Sequence, residues 1–132
     1  MVRDSLPYAQ KWNGGLSKEQ LSWVKSELEL AEQNGEQVGF YCHFPIYPLA
    51  EDNLWNRDAL IDLISDYSCV KVFFNGHNHH GAYERVNGIH YLTFKAMVNT
   101  EDQSAFATAV FKKDTVLIEG YGREPSRQLS IH

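Results

Sequence analysis

Apolar residues along the chain switch between a helical and a strand-like period. Leu21, Val24, Leu28 and Ala31 recur every three or four positions, as one buried helical face requires. Ser17 and Gln20 stand ahead of them as a capping box, each able to satisfy a free N–H of the first turn. Asn34-Gly35 supplies a left-handed stop, so the spacing predicts a helix from about Ser17 to Asn34. Residues 37–42, with Val38, Phe40, Tyr41 and Cys42, read as a strand ending at His43. Pro45 cannot continue a ladder, and residues 44–48 are extended because a residue before proline avoids the helical region. Leu60, Leu63, Ile64 and Tyr67 form the stripe of a second helix over 54–67, with Arg57, Asp58, Asp62 and Asp66 on its wet side. Residues 70–74 are a buried strand. Residues 82–86 and 89–94 flank Asn87-Gly88, a strong hairpin signal. Residues 105–111 and 115–119 form another pair, turned by Lys112-Lys113-Asp114. Residues 1–16, with Pro7, Asn13, Gly14 and Gly15, read as a loop or arm, part of which packs through Tyr8 or Trp12. The polar tail over 120–132 reads as loose. The order is an α/β crossover over 17–80 followed by an antiparallel run over 81–119, within one domain of 132 residues.

The crossover gives the histidines a common address. A strand–helix–strand unit joins parallel strands, and neighbouring strands lie roughly 5 Å apart. His43 ends the first strand and His77 follows the second, so both emerge on one sheet edge, where α/β folds place ligands. Gly76 is expected to let the chain turn sharply there. Neutral imidazole is the commonest side-chain metal ligand, so His43, His77 and His79 are the candidate metal ligands. His77 and His79, two apart in an extended turn, would sit roughly 7 Å from each other, a span that suits two ions about 3.5–4 Å apart. His80 is a solvent-facing neighbour or a substrate contact. His90, inside a strand, and His132 read as ordinary satisfied or exposed histidines.

Composition narrows the classes. Hydrophobic residues make up 43% and aromatics 13% of the chain, enough for a core. A net charge of −5 without a basic run excludes a phosphate-tracking nucleic-acid surface. No apolar run has membrane-spanning length, and Met1-Val2-Arg3-Asp4-Ser5 lacks a signal-peptide core. Cys42 and Cys69 lie in apolar runs and read as buried free thiols. The expectation is a cytoplasmic protein.

His43-Phe44-Pro45 and Gly76-His77-Asn78-His79 resemble the last two motifs of the calcineurin-like metallophosphoesterases. Asn13-Gly14-Gly15-Leu16-Ser17-Lys18-Glu19-Gln20-Leu21, His43-Phe44-Pro45-Ile46-Tyr47-Pro48, Ser104-Ala105-Phe106-Ala107-Thr108-Ala109 and Gly120-Tyr121-Gly122-Arg123 are similar to the manganese-dependent ADP-ribose/CDP-alcohol diphosphatases within that family. The resemblance implies an α/β (α+β) fold, the carboxyl-terminal half of a four-layer α/β/β/α sandwich, with a mixed sheet and helices on one face. It implies hydrolysis of a small nucleotide-type diphosphate at two divalent metals, manganese with iron or zinc as variants. His43 and His77 would ligate the second metal and His79 the first. Phe44, Tyr47 and Asn78 would shape the substrate pocket.

The family also uses Asp-x-His, Gly-Asp-x-x-Asp and Gly-Asn-His-Glu motifs, and none occurs in this sequence. Lys95 stands where the subfamily carries an acidic residue. The resemblance therefore implies a partner, either a missing amino-terminal half or a second copy of the chain. Two other functions compete with a diphosphatase half-domain. One is a mononuclear three-histidine zinc hydrolase; the other is a non-catalytic assembly module that keeps the fold.

Overall fold

The structure, a computed structural model, describes residues 11–132; the readings of Pro7 and Tyr8 lie outside the described residues. Helix α1 (Lys18–Asn34) starts at Ser17, which accepts from Gln20 N while Gln20 caps the Ser17 N–H in return. It stops at Gly35 in the left-handed region. Val24, Leu28 and Ala31 are its buried stripe.

Strands β1 (Val38–Cys42), β2 (Val70–Asn75), β3 (Ala82–Val86) and β4 (Ile89–Thr93) form one sheet in the order β1-β2-β4-β3. β1 and β4 run parallel to β2, and β3 is antiparallel to β4 through the Asn87-Gly88 turn, with both turn residues at positive φ. The predicted crossover and hairpin are both present, and the sheet is mixed.

Helix α2 (Arg57–Ser65) is shorter than the expected 54–67. Leu54 is 2% exposed, yet it reaches the core from a loop: its N–H donates to the Pro45 carbonyl at 2.9 Å. Its apolar character therefore serves the core and does not mark the start of the helix. Asn53, fully buried, holds that loop by bonding Ala50 N, the Pro48 carbonyl and Arg57 Nη1. The arm before α1 packs as expected, through Asn13 and not Trp12. Asn13 Nδ2 donates to the carbonyls of Glu51 and Asn53, while Trp12 is exposed.

The tail is not loose. β5 (Ala105–Phe111) and β6 (Thr115–Gly122) are joined by β7 (Arg127–Ser130) in a second, antiparallel sheet of order β5-β6-β7. Leu129 and Ile131 are buried, and that apolar anchoring outweighs the polarity of their neighbours. One apolar layer lies between the helices and the mixed sheet, around Leu28, Ile46, Leu60, Ile64, Phe73 and Tyr91. A second lies between the sheets, where Val72, Phe74 and Leu92 meet Val116, Ile118 and Leu129. Cys42 and Cys69 are free thiols, Cys69 buried as expected and Cys42 only half-buried at the end of an edge strand, and burial pushes both up from the usual thiol range. No helix among the described residues is long and apolar enough to cross a membrane.

Candidate metal centre

The site begins with strand register. Cys42 of β1 pairs with Asn75 of β2, so the residues that follow both strands leave the sheet together. Gly76 N donates to the His43 carbonyl at 3.1 Å, which stitches the two exits to each other. Asn75 is buried; its Nδ2 donates to Thr93 Oγ1 at 2.7 Å and to the Gly76 carbonyl at 3.1 Å, fixing the end of β2 against β4.

Beyond that point it is the histidine that bends, not the glycine. His77 has φ 67°, whereas Gly76 is outside the left-handed region and has room for a Cβ, whose nearest neighbour would be His43 Nδ1 at 3.8 Å. A left-handed non-glycine residue costs about 1–2 kcal/mol. The turn that holds it is closed by Asn78 N donating to the Gly76 carbonyl (2.8 Å) and Gly81 N to the Asn78 carbonyl (3.1 Å). Asn78 Oδ1 accepts from His80 N at 3.1 Å, so this side chain shapes the turn itself.

The bend turns the His77 ring onto His43. His77 Nδ1 and His43 Nε2 are 3.3 Å apart, with the rings edge to face. Phe44 packs edge-on against both, at centroid distances of 5.0 and 4.7 Å. The Phe44 ring in turn lies where a Cβ at Gly14 would meet it at 2.7 Å, so a side chain there would displace the ring. Burial, and then the neighbouring His43, holds His77 below the usual imidazole range; Asp52 pulls the other way and His79 adds to the lowering. His77 is therefore a neutral ring at pH 7, with a lone pair available.

The pair fits a divalent ion in one respect. Two nitrogens each about 2.0–2.1 Å from one tetrahedral ion stand about 3.3 Å apart, the separation between these rings. A full cage does not form. Among the described residues no three His, Cys, Asp or Glu side chains gather as a metal-holding set. His79 has its own partner: its Nδ1 lies 2.9 Å from Asn99 Oδ1. The left-handed residue at His77 also means that the turn is not the extended one expected to set His77 and His79 roughly 7 Å apart. The donors present fit the imidazole side of a metal site and lack its anionic side.

Of the other candidates, Phe44 walls the histidine pair. Tyr47 packs on buried Tyr91 at 4.8 Å and so belongs to the core beside the site. His80 is exposed. Lys95 follows β4; its backbone N donates to buried Glu124, and its side chain occupies the space where a Cβ on Gly81 would fall. His90 is a satisfied core histidine, bonded to Tyr83 and Ser130, and His132 bonds Ser130 Oγ. Sequence reasoning missed Asp52, whose charge reaches His77, and Asn99, the partner of His79. Neither sits in a motif, and only the folded loops bring them near. Beside His43, a cleft of about 380 Å³ opens along the β1 edge, lined by Tyr41, Cys42, Phe74, Asn75 and Phe94.

No family model matches the chain. The chain is 40% identical over 127 residues to a manganese-dependent ADP-ribose/CDP-alcohol diphosphatase of Bos taurus, covering 92% of this chain and 37% of that protein. The protein of the same name from Homo sapiens is 40% identical over 129 residues, covering 93% of this chain and 37% of that one. The structure superposes on a dimetal phosphatase from Danio rerio with a TM-score of 0.90 and 27% identity, covering 100% of this chain and 43% of that chain. The chain thus spans a little over a third of the length of the curated relatives it matches.

Proposed function

We propose that this chain, a relative of metal-dependent phosphoesterases in sequence and in fold, supplies the histidine side of a two-metal site that hydrolyses nucleotide-type diphosphates such as ADP-ribose or CDP-alcohols. The names of its relatives carry the substrate class and manganese. The observation that carries the site is the His43–His77 pair, 3.3 Å apart at the carboxyl edge of two parallel strands. Bound divalent ions would neutralise phosphoryl oxygens and lower the pKa of a bound water.

The chain's own residues do the rest of what is assigned to it. His43 and His77 would hold one ion through the two nitrogens that now face each other, and His79 would hold the other. Phe44 packs edge-on against both rings and covers one side of the pair. Asn78 and His80 stand on the same turn, at the mouth where a diphosphate would enter. Manganese, a hard ion, prefers carboxylate oxygen, and the missing acidic motifs are the source we assign to a complementary polypeptide. Its seat is the open side of the fold, where β1 and β5 are both edge strands and Tyr41 is 70% exposed. Free Cys42 and Cys69 suit the reducing cytoplasm.

Metal titration tests the reading. Calorimetry with manganese and with zinc should show an ion bound by the wild-type chain and lost in both His43→Ala and His77→Ala. Equal binding by wild type and both variants would refute it. That no three such side chains gather as a metal-holding set among the described residues weighs against the mononuclear three-histidine zinc hydrolase. The assembly-module reading predicts that partner binding survives both substitutions and that no ion binds.

A further inference from the structure

The Gly120-Tyr121-Gly122-Arg123 segment lies in the second sheet, yet its contacts lead to the histidine turn. Gly122 has φ 63°, and a Cβ there would fall 1.9 Å from the Ser104 carbonyl oxygen, so the backbone passes where only glycine fits. That close passage aims Arg123 at the loop between β4 and β5. Arg123 N donates to the Ser104 carbonyl at 2.9 Å, Nη2 to the Ala96 carbonyl at 2.6 Å, and Nε to Thr100 Oγ1 at 3.1 Å. Thr100 Oγ1 donates onward to the Gln103 carbonyl at 2.6 Å. Ala96 and Thr100 bracket the 3-10 turn Met97–Asn99, so one guanidinium holds both ends of that turn. On its other side Ala96 N donates to the His79 carbonyl at 3.1 Å, docking the turn against the histidine segment.

Asn99 then meets the His79 ring. Its Oδ1 is 2.9 Å from Nδ1. A carboxamide oxygen only accepts, so Nδ1 carries the proton and Nε2 keeps its lone pair. We infer that Asn99 is a positioning residue for His79, selecting the tautomer with Nε2 free, and that Arg123 acts through it by strapping the Met97–Asn99 turn. The inference rests on the proposed metal role of His79 for its purpose, but not for its geometry. Partners of this kind around metal-binding histidines set ring orientation and tautomer. The arrangement gives the second sheet, which contributes no imidazole to the site, a role in it.

The experiment reads the tautomer directly. Long-range 1H–15N spectra of the imidazole rings, taken on the metal-free chain at pH 8, should show His79 protonated at Nδ1. Asn99→Ala should shift it to the Nε2-protonated form that an unconstrained side chain favours. Asn99→Asp, which keeps the acceptor, should retain the Nδ1 proton. Arg123→Gln should give a mixture, since the turn is released but Asn99 remains. Asn99 is exposed, so its substitutions leave the core intact. In parallel, manganese affinity should fall about 10–100-fold in Asn99→Ala and recover in Asn99→Asp. An Nε2-protonated His79 in the wild-type chain, or a tautomer indifferent to all three substitutions, would overturn the inference. A wild-type chain that shows the Nδ1 proton and binds no manganese would uphold the inference and sink the metal reading instead.

Discussion

His90 Nε2 lies 2.6 Å from the carbonyl oxygen of Ser130, so one side chain joins the mixed sheet to the last strand of the second sheet. A carbonyl only accepts, so Nε2 is the donor, and Nδ1 of the neutral ring accepts from Tyr83 Oη at 2.8 Å. Burial, with Arg85 nearby, holds His90 below the usual imidazole range against the opposing Ser130 bond. Above about pH 6.5 folded and unfolded rings are both neutral. As pH falls below that value the unfolded ring takes up its proton first, so stability declines toward the lower folded pKa. Urea unfolding at pH 8 and pH 5 should show this loss, and His90→Phe should reduce it. The variant should also be about 1–3 kcal/mol less stable at pH 8, because the Ser130 carbonyl loses its donor. An unchanged pH difference would show that His90 is not its source.

The glycines divide by environment. A Cβ at Gly120 would fall 2.1 Å from the Glu124 carbonyl oxygen, whereas one at Gly76 would have ordinary contacts only. Gly120→Ala should therefore destabilise by about 2 kcal/mol or more, and Gly76→Ala should stay within about 1 kcal/mol of wild type. Thermal melts of the two variants check the order, and a reversed order would contradict the described turn.

Leu54 gives a core test outside any helix or strand. It is 2% exposed, and the loop that carries it is tied to Pro45. Leu54→Ala should cost about 2–5 kcal/mol, measured by denaturant unfolding. Because the same loop leads back to Phe44, the His43–His77 contact should also loosen, visible as altered ring resonances.

What the sequence made legible was local. The Ser17–Gln20 box and the Asn87-Gly88 turn declare themselves through backbone chemistry confined to a few residues, and the crossover rule placed His43 beside His77. Other features were not legible. Leu54 was expected to open the second helix because burial in a loop and burial on a helix draw on the same residue type. Leu129 and Ile131 alternate as a strand should, but four residues among polar neighbours make a weak signal until β6 is there to pair with. The left-handed bend fell on His77 and not on Gly76, since the hydrogen bonds of the turn, not the residue with the most freedom, decide where the strain is held. Asn99 and Asp52 became visible only through tertiary contact.

The open side of the fold predicts association. β1 and β5 are edge strands, and Tyr41, Val110 and Phe111 are exposed along them. Unpaired edges with apolar side chains recruit other chains. Light scattering should show a dimer or larger species, and Tyr41→Lys with Val110→Lys should shift it toward monomer. A clean monomer across a wide concentration range would contradict this.

The most direct test is turnover by two samples. Two-metal hydrolysis needs an anionic bridge between the ions, and the described residues bring no carboxylate into a metal-holding set with these histidines. The chain alone, with manganese, should hydrolyse ADP-ribose or a CDP-alcohol no faster than its His77→Ala, His79→Ala variant. Adding the segment of the Bos taurus relative that this chain does not match, fused or as a separate polypeptide, should raise the rate, and the same two substitutions should abolish the gain. Robust manganese-dependent hydrolysis by the 132-residue chain alone, lost in that variant, would contradict the account.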